Sequence, residues 1–209
     1  AIAIPTPSVF VVVGDSGLVL RSTDGGTLWS RQRLINGPIA LRAVTFISAQ
    51  IGVAVGDSGR IFTTANQGVT WTLRPTTLSQ SLRGIFARSN GIVWACGDLG
   101  VIIKSTDMGA TWRILSNSVT RDLYHLYFRN DSLGWCVGDN GTILRSLNGG
   151  ALWNLQFSNT IASLNSIAFT DLTNGVIAGA TPTGGVIVRT TDGGGTWTSS
   201  TSITTFQIH

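Results

Sequence analysis

Phe128–Trp153, FRNDSLGWCVGDNGTILRSLNGGALW, is the stretch whose reading decides the fold. An apolar run (LGWCV) leads into a glycine turn (GDNG from Gly138), a second run (TILR) follows, and Ser146-x-Asn148-x-Gly150-x-x-Trp153 closes the phrase. Outward from it the same closing phrase recurs as STDGGTLW from Ser22, TANQGVTW from Thr64, STDMGATW from Ser105 and TTDGGGTW from Thr190. Its tryptophans, Trp29, Trp71, Trp112, Trp153 and Trp197, stand 42, 41, 41 and 44 residues apart. A fixed period of this length marks a stacked or radial repeat rather than a set of unrelated elements.

Each unit carries four strand-length segments. Glycine turns at Gly14, Gly56, Gly97, Gly138 and Gly179 separate apolar runs such as IGVAV and RIFT, which are rich in β-branched residues. Units two to five add an upstream run: Leu41-x-x-Val44-x-Phe46, Leu82-x-x-Ile85-Phe86, Leu123-x-x-Leu126-x-Phe128 and Leu164-x-x-Ile167-x-Phe169. The tryptophan begins the fourth strand. Four strands repeated about every 41 residues are the signature of a propeller blade. The expected architecture is therefore all-β, a closed five-bladed β-propeller of four-stranded antiparallel blades in one domain. The blades fall at 40–76, 81–116, 122–157 and 163–201, with blade one formed by 8–34 plus 202–209. That last assignment rests on Ile203-x-x-Phe206-x-Ile208, which reproduces the upstream apolar spacing, so the first blade is expected to be completed by the C-terminal strand, leaving no open sheet edge.

The recurring polar residues suit turns. Glycine accepts positive φ without steric cost, and an Asp side chain bonds amides of its own loop, so Asp15, Asp57, Asp98 and Asp139 are turn formers. One carboxylate per turn is too few for a calcium cage. In the closing phrase Asp24, Asn66, Asp107, Asn148 and Asp192 alternate between acid and amide, which preserves the acceptor oxygen and discards the charge; hydrogen bonding, not acid chemistry, is the shared requirement.

This phrase resembles the Asp box, or bacterial neuraminidase repeat, and the fuller unit from Phe128 to Trp153 is similar to the photosystem II assembly and stability factor family of propellers. The resemblance implies a propeller across nearly the whole chain; family members commonly carry seven blades where five units are visible here. It also raises a sialidase, whose tyrosine nucleophile is supported by glutamate. The chain has 13 Arg, 1 Lys, 10 Asp and no Glu, and its tyrosines, Tyr124 and Tyr127, lie in the apolar LYHLYF. Turns and boxes claim seven aspartates, leaving Asp122, Asp131 and Asp171. No nucleophile and base pair can be named, so no enzyme is expected, and no cofactor or metal site is signalled by His125, His209, Cys96 or Cys136. The cysteines read as buried free thiols and His125 as a satisfied, half-buried residue.

The net charge of +4 is an arginine excess, scattered rather than run together, which argues against nucleic acid. One basic set recurs in register, Arg21, Lys104, Arg145 and Arg189, with Thr63 in the remaining blade; a second, Arg42, Arg83 and Arg121, lies near the innermost strands. These seven are the candidate binding residues. The expected function is a non-enzymatic protein-interaction or assembly scaffold displaying loops and a partly basic rim to a protein partner. Low charge and abundant Ser, Thr and Asn equally suit a structural or decoration component of a virion or extracellular assembly, and a multivalent glycan-binding lectin is a third reading. No apolar run is long enough for a membrane helix and no signal peptide is visible, so membrane insertion is not expected. The composition favours an extracytoplasmic or virion setting over the cytoplasm.

Overall fold

The computed structural model describes residues 1–201, in which twenty strands form five four-stranded antiparallel sheets, each made of strands consecutive in sequence. Blade one contains β1 (Ile2–Thr6), β2 (Val9–Val13), β3 (Leu18–Ser22) and β4 (Ser30–Arg33); blade two β5 (Leu41–Phe46), β6 (Gly52–Gly56), β7 (Ile61–Thr64) and β8 (Thr72–Arg74). Blade three contains β9 (Leu82–Ala87), β10 (Val93–Gly97), β11 (Ile102–Ser105) and β12 (Arg113–Leu115). Blade four has β13 (Leu123–Phe128), β14 (Gly134–Gly138), β15 (Ile143–Ser146) and β16 (Asn154–Gln156); blade five has β17 (Ser163–Phe169), β18 (Gly175–Thr181), β19 (Gly184–Thr190) and β20 (Thr198–Thr201). The chain forms two compact units, Ala1–Gly97 with Ile102–Ile114, and Asp98–Val101 with the chain from Leu115 onward. No helix among the described residues is long and apolar enough to cross a membrane.

Blade one corrects an expectation. Its first-strand position is filled by β1, which pairs with β2 through Ile2↔Val12 and Ala3↔Val11 and then slips before Thr6↔Val9. Pro5 cannot donate to a ladder, but it falls inside that slip, where no ladder donor is required. The tail 202–209, expected in this position, lies outside the described residues.

The glycine turn works by two consecutive residues at positive φ. Ser16 and Gly17, Ser58 and Gly59, Leu99 and Gly100, and Asn140 and Gly141 all adopt φ between 52° and 74°, the primed-turn geometry whose twist matches that of the flanking strands. The glycine that opens the turn has another task. Where the first strand meets the second, Leu41 faces Gly56 and Ala43 faces Val55, so Arg42 is the extra residue of a bulge; Arg83, Tyr124 and Asn165 occupy the same place in later blades. The bulge presses backbone on backbone: a Cβ on Gly56, Gly97 or Gly138 would lie about 2 Å from the carbonyl oxygen of Ala40, Ser81 or Asp122.

A second recurring contact ties aromatic rings to the sheet. The phenylalanine ending strand one lies over the glycine opening strand two, as in Phe46 over Gly52, Phe128 over Gly134 and Phe169 over Gly175. The closing tryptophan meets the same ring edge-on: Phe46 and Trp71 are 6.4 Å apart, Phe128 and Trp153 5.7 Å, Phe169 and Trp197 6.1 Å. Strands β6, β10 and β14 are buried on both faces, which is why their sequences run apolar without alternation.

Candidate functional site

The Asp boxes spend their polar groups on themselves. In blade three the Ser105 hydroxyl donates to Asp107 Oδ1 (2.7 Å) while accepting from the Gly109 amide (2.8 Å), and Asp107 accepts from the Thr111 amide (2.9 Å) and hydroxyl (2.6 Å). The Thr111 bonds, with that of Ser105, hold the Asp107 carboxyl at about 2 against the opposing effect of burial. Asp24, bonded by the Leu28 amide and Ser22, and Asp192, bonded by Thr196 and Thr190, are likewise pulled below the ordinary carboxylate range. Asn66 and Asn148 accept the matching hydroxyl and amide bonds as neutral groups, from Thr64 and Thr70 and from Ser146 and Leu152, and Asn66 Nδ2 donates to the Thr70 hydroxyl where Asp107 accepts from that of Thr111. Trp29, Trp71 and Trp112 donate from Nε1 to the carbonyl oxygens of Gly26, Gly68 and Gly109. The Nε1 groups of Trp153 and Trp197 are buried with no acceptor among the described residues.

The candidate arginines separate into different environments. Arg21 donates from Nε to the Gln67 carbonyl oxygen (2.9 Å), crossing from blade one to the box of blade two. Arg145 stands near Gly193 of the next box, and the Lys104 ammonium lies 5.1 Å from the centre of the Trp94 ring. Arg189 is exposed. In the second set, Arg42 is paired with Asp57, whose carboxyl is raised by burial but lowered further by the Arg42 and Ala40 bonds. Arg83 is half-buried on β9, and Arg121 is exposed in the loop before β13.

Arg121 opens onto a feature that sequence reasoning missed, a groove of about 960 Å³ in the second unit. Its walls are the loop before β13, the Asn140–Gly141 turn, the segment from β16 to β17, and the hairpin of β18 and β19. The floor is rigid. The Gly141 amide donates to the Ala162 carbonyl (2.7 Å), and a Cβ at Gly141 would strike the Thr160 carbonyl and the Ser158 hydroxyl. Asn159, at φ 58°, donates from Nδ2 to the Trp197 carbonyl oxygen (3.1 Å). On this fixed loop Ser158 and Ala162 point inward while Phe157 and Ile161 are 81% and 80% exposed. Among the described residues Arg121 is the one charged group in the lining, and none of them there is a carboxylate. The available signal was a break in register: four residues after the tryptophan the other blades carry Arg33, Pro75, Ser116 and Thr201, and only blade four carries a large aromatic, Phe157.

Asp122, Asp171 and His125 also have structural partners. Asp122 Oδ1 accepts from the Leu99 amide (3.0 Å), and Asp171 accepts from the Thr173 and Asn174 amides (2.7 Å each), which with the Asn174 side chain keep its carboxyl well below the usual range. His125 Nδ1 accepts from the Ile167 amide (3.3 Å), and burial lowers its pKa, so it is neutral with its proton on Nε2. Cys96 and Cys136 are buried and form no disulfide. No three His, Cys, Asp or Glu side chains cluster as a metal site among the described residues.

Residues 73–147 match the family described as Photosynthesis system II assembly factor YCF48. Comparison with curated protein sequences yields no match. Among solved structures, YCF48 bound to D1 peptide is 19% identical with a TM-score of 0.68, covering 95% of this chain and 80% of that one. YCF48 from Cyanidioschyzon merolae is 21% identical with a TM-score of 0.71, covering 95% and 70%. A GH74 enzyme from Niastella koreensis superposes with a TM-score of 0.77 at 15% identity, covering 97% of this chain and 38% of that one. At such identities the likeness speaks for the fold. The chain is an Asp-box β-propeller that resembles the YCF48 family.

Proposed function

We propose that this chain is a protein-interaction module for assembly, and that its groove holds an extended segment of a partner protein. The observation that carries this reading is the pairing of a rigid, hydrogen-bonded floor with two exposed apolar side chains, Phe157 and Ile161, beside the Arg121 cation. Large apolar groups held out on an ordered loop cost solubility unless something covers them, and a preorganised loop loses little entropy when it is covered. A single cation without a carboxylate favours a segment with one acidic residue among apolar ones. The related YCF48 structure contains a D1 peptide, which supports peptide recognition by this kind of propeller.

The test is a selection from a displayed library of random linear peptides on the immobilised chain. Enriched peptides should combine apolar side chains with a carboxylate, and should lose binding to F157A/I161A and, less completely, to R121A. Peptides that bind these variants as well as the parent would overturn the assignment of the groove, and hits on a glycan array without peptide hits would overturn the module itself.

A further inference from the structure

Five Asn-Gly pairs stand in the chain, at Asn36, Asn90, Asn140, Asn148 and Asn174. An asparagine followed by glycine is open to attack by its own backbone, because glycine has no Cβ to hinder its nitrogen from reaching the asparagine Cγ. The attack needs that nitrogen released from its hydrogen bond and able to shed its proton, and it needs the carboxamide free to turn. A folded chain therefore selects among the five by what it ties down.

Four pairs are tied. The Gly91 amide donates to the Arg88 carbonyl oxygen (3.1 Å), and Asn90 Oδ1 accepts from the Ile92 amide (3.2 Å). The Gly141 amide donates to the Ala162 carbonyl oxygen (2.7 Å), and the Gly149 amide to that of Ser132 (2.8 Å), with Asn148 Oδ1 held by Ser146 and Leu152. Gly175 lies in the ladder between Phe169 and Thr190, and Asn174 Nδ2 donates to Asp171 Oδ2 (2.7 Å).

The pair at Asn36 and Gly37 differs. It sits in the link from blade one to blade two with both residues exposed, and neither the Asn36 side chain nor the Gly37 amide has a hydrogen-bond partner among the described residues. Gly37 has a φ of 121° and nothing within 4 Å of where a Cβ would stand. The link is anchored on either side: the Leu34 amide donates to the Gly17 carbonyl oxygen (2.9 Å), and the Gly17 amide donates to the Ile39 carbonyl oxygen (2.7 Å).

We infer that Asn36 is a site of spontaneous modification, converting to isoaspartate and aspartate while the other four pairs persist. The Gly37 nitrogen bonds to Asn36 Cγ, the bond from Cγ to Nδ2 breaks, and ammonia leaves with the Gly37 proton, giving a cyclic imide. Water then opens the ring at either carbonyl, so one water is consumed and one ammonia released with no change of oxidation state. Opening at the α-carbonyl carbon leaves a backbone one methylene longer between the two anchoring bonds to Gly17. Either product adds a carboxylate, which lowers the net charge of +4 by one. Neither residue lines the groove, so the inference stands apart from what the groove holds.

The test is to hold the folded chain at mildly alkaline pH and follow it by isoelectric focusing and peptide mapping, with isoaspartate read by enzymatic methylation. A species more acidic by one charge should accumulate, with isoaspartate at residue 36 ahead of the other four positions, and the N36S variant should lack that species. In urea, which frees the other glycine amides, all five pairs should convert. Conversion of the folded chain that begins at Asn90, Asn140, Asn148 or Asn174, or that advances at all five together, would overturn the inference. So would a folded chain that keeps Asn36 intact while the urea sample reacts.

Discussion

Two neighbouring segments of blade four spend their residues in opposite ways. From Ser146 to Trp153 the side chains satisfy the loop: the serine and asparagine bond amides, and the tryptophan is buried edge-on to Phe128. From Leu155 to Ile161 the loop is tied by the Ser158 hydroxyl to Thr160 and by the Asn159 side-chain amide to the Trp197 carbonyl oxygen, yet Leu155, Phe157 and Ile161 face solvent. The first segment recurs in every blade and the second does not. Residues that repeat build the blade, and residues that break the repeat are available for binding.

The largest way to break this contrast is to remove a repeated ring. Trp153→Ala should cost about 3–5 kcal/mol in denaturant unfolding, because the Phe128 contact goes and a cavity remains. Asp107→Ala strips the acceptor from three donors and should cost about 1–2 kcal/mol, whereas Asp107→Asn should cost less, since Asn66 and Asn148 serve in the same place. Phenylalanine at the tryptophans sharpens the comparison within the boxes. Trp112→Phe forfeits the bond to Gly109 while Trp153→Phe removes an unsatisfied donor, so the first should be less stable than the second by about 1 kcal/mol in parallel melts.

Acid should expose the charged boxes. Asp107 has its folded pKa depressed to about 2, so its contribution is fully present above its unfolded value near ~3.9 and disappears as pH falls through about 2. Melting temperatures followed from pH 5 downward should drop across that window, and the drop should be shallower in the Asp107→Asn variant.

The repeat made the blades legible, because a period shared by Gly, Asp and Trp admits few folds, and the turns and boxes lie where the spacing put them. The first strand of blade one was not legible: Pro5 disguised β1, and only the slip in its pairing shows how a proline is accommodated. The basic set was visible as a register but not as an environment. Arg21 and Arg42 are engaged with Gln67 and Asp57, contacts between segments distant in sequence that periodicity cannot reveal. The groove escaped for the converse reason, since Phe157 and Ile161 are single departures with no echo in other blades.

Those two side chains therefore carry the most direct test. In F157A/I161A the melting temperature should match the parent, because exposed side chains away from the core change stability by no more than about 0.5 kcal/mol, while affinity for a selected peptide, read by calorimetry, should fall at least about tenfold. Unchanged affinity in a folded F157A/I161A protein would contradict the division between repeated residues that build and unrepeated residues that bind.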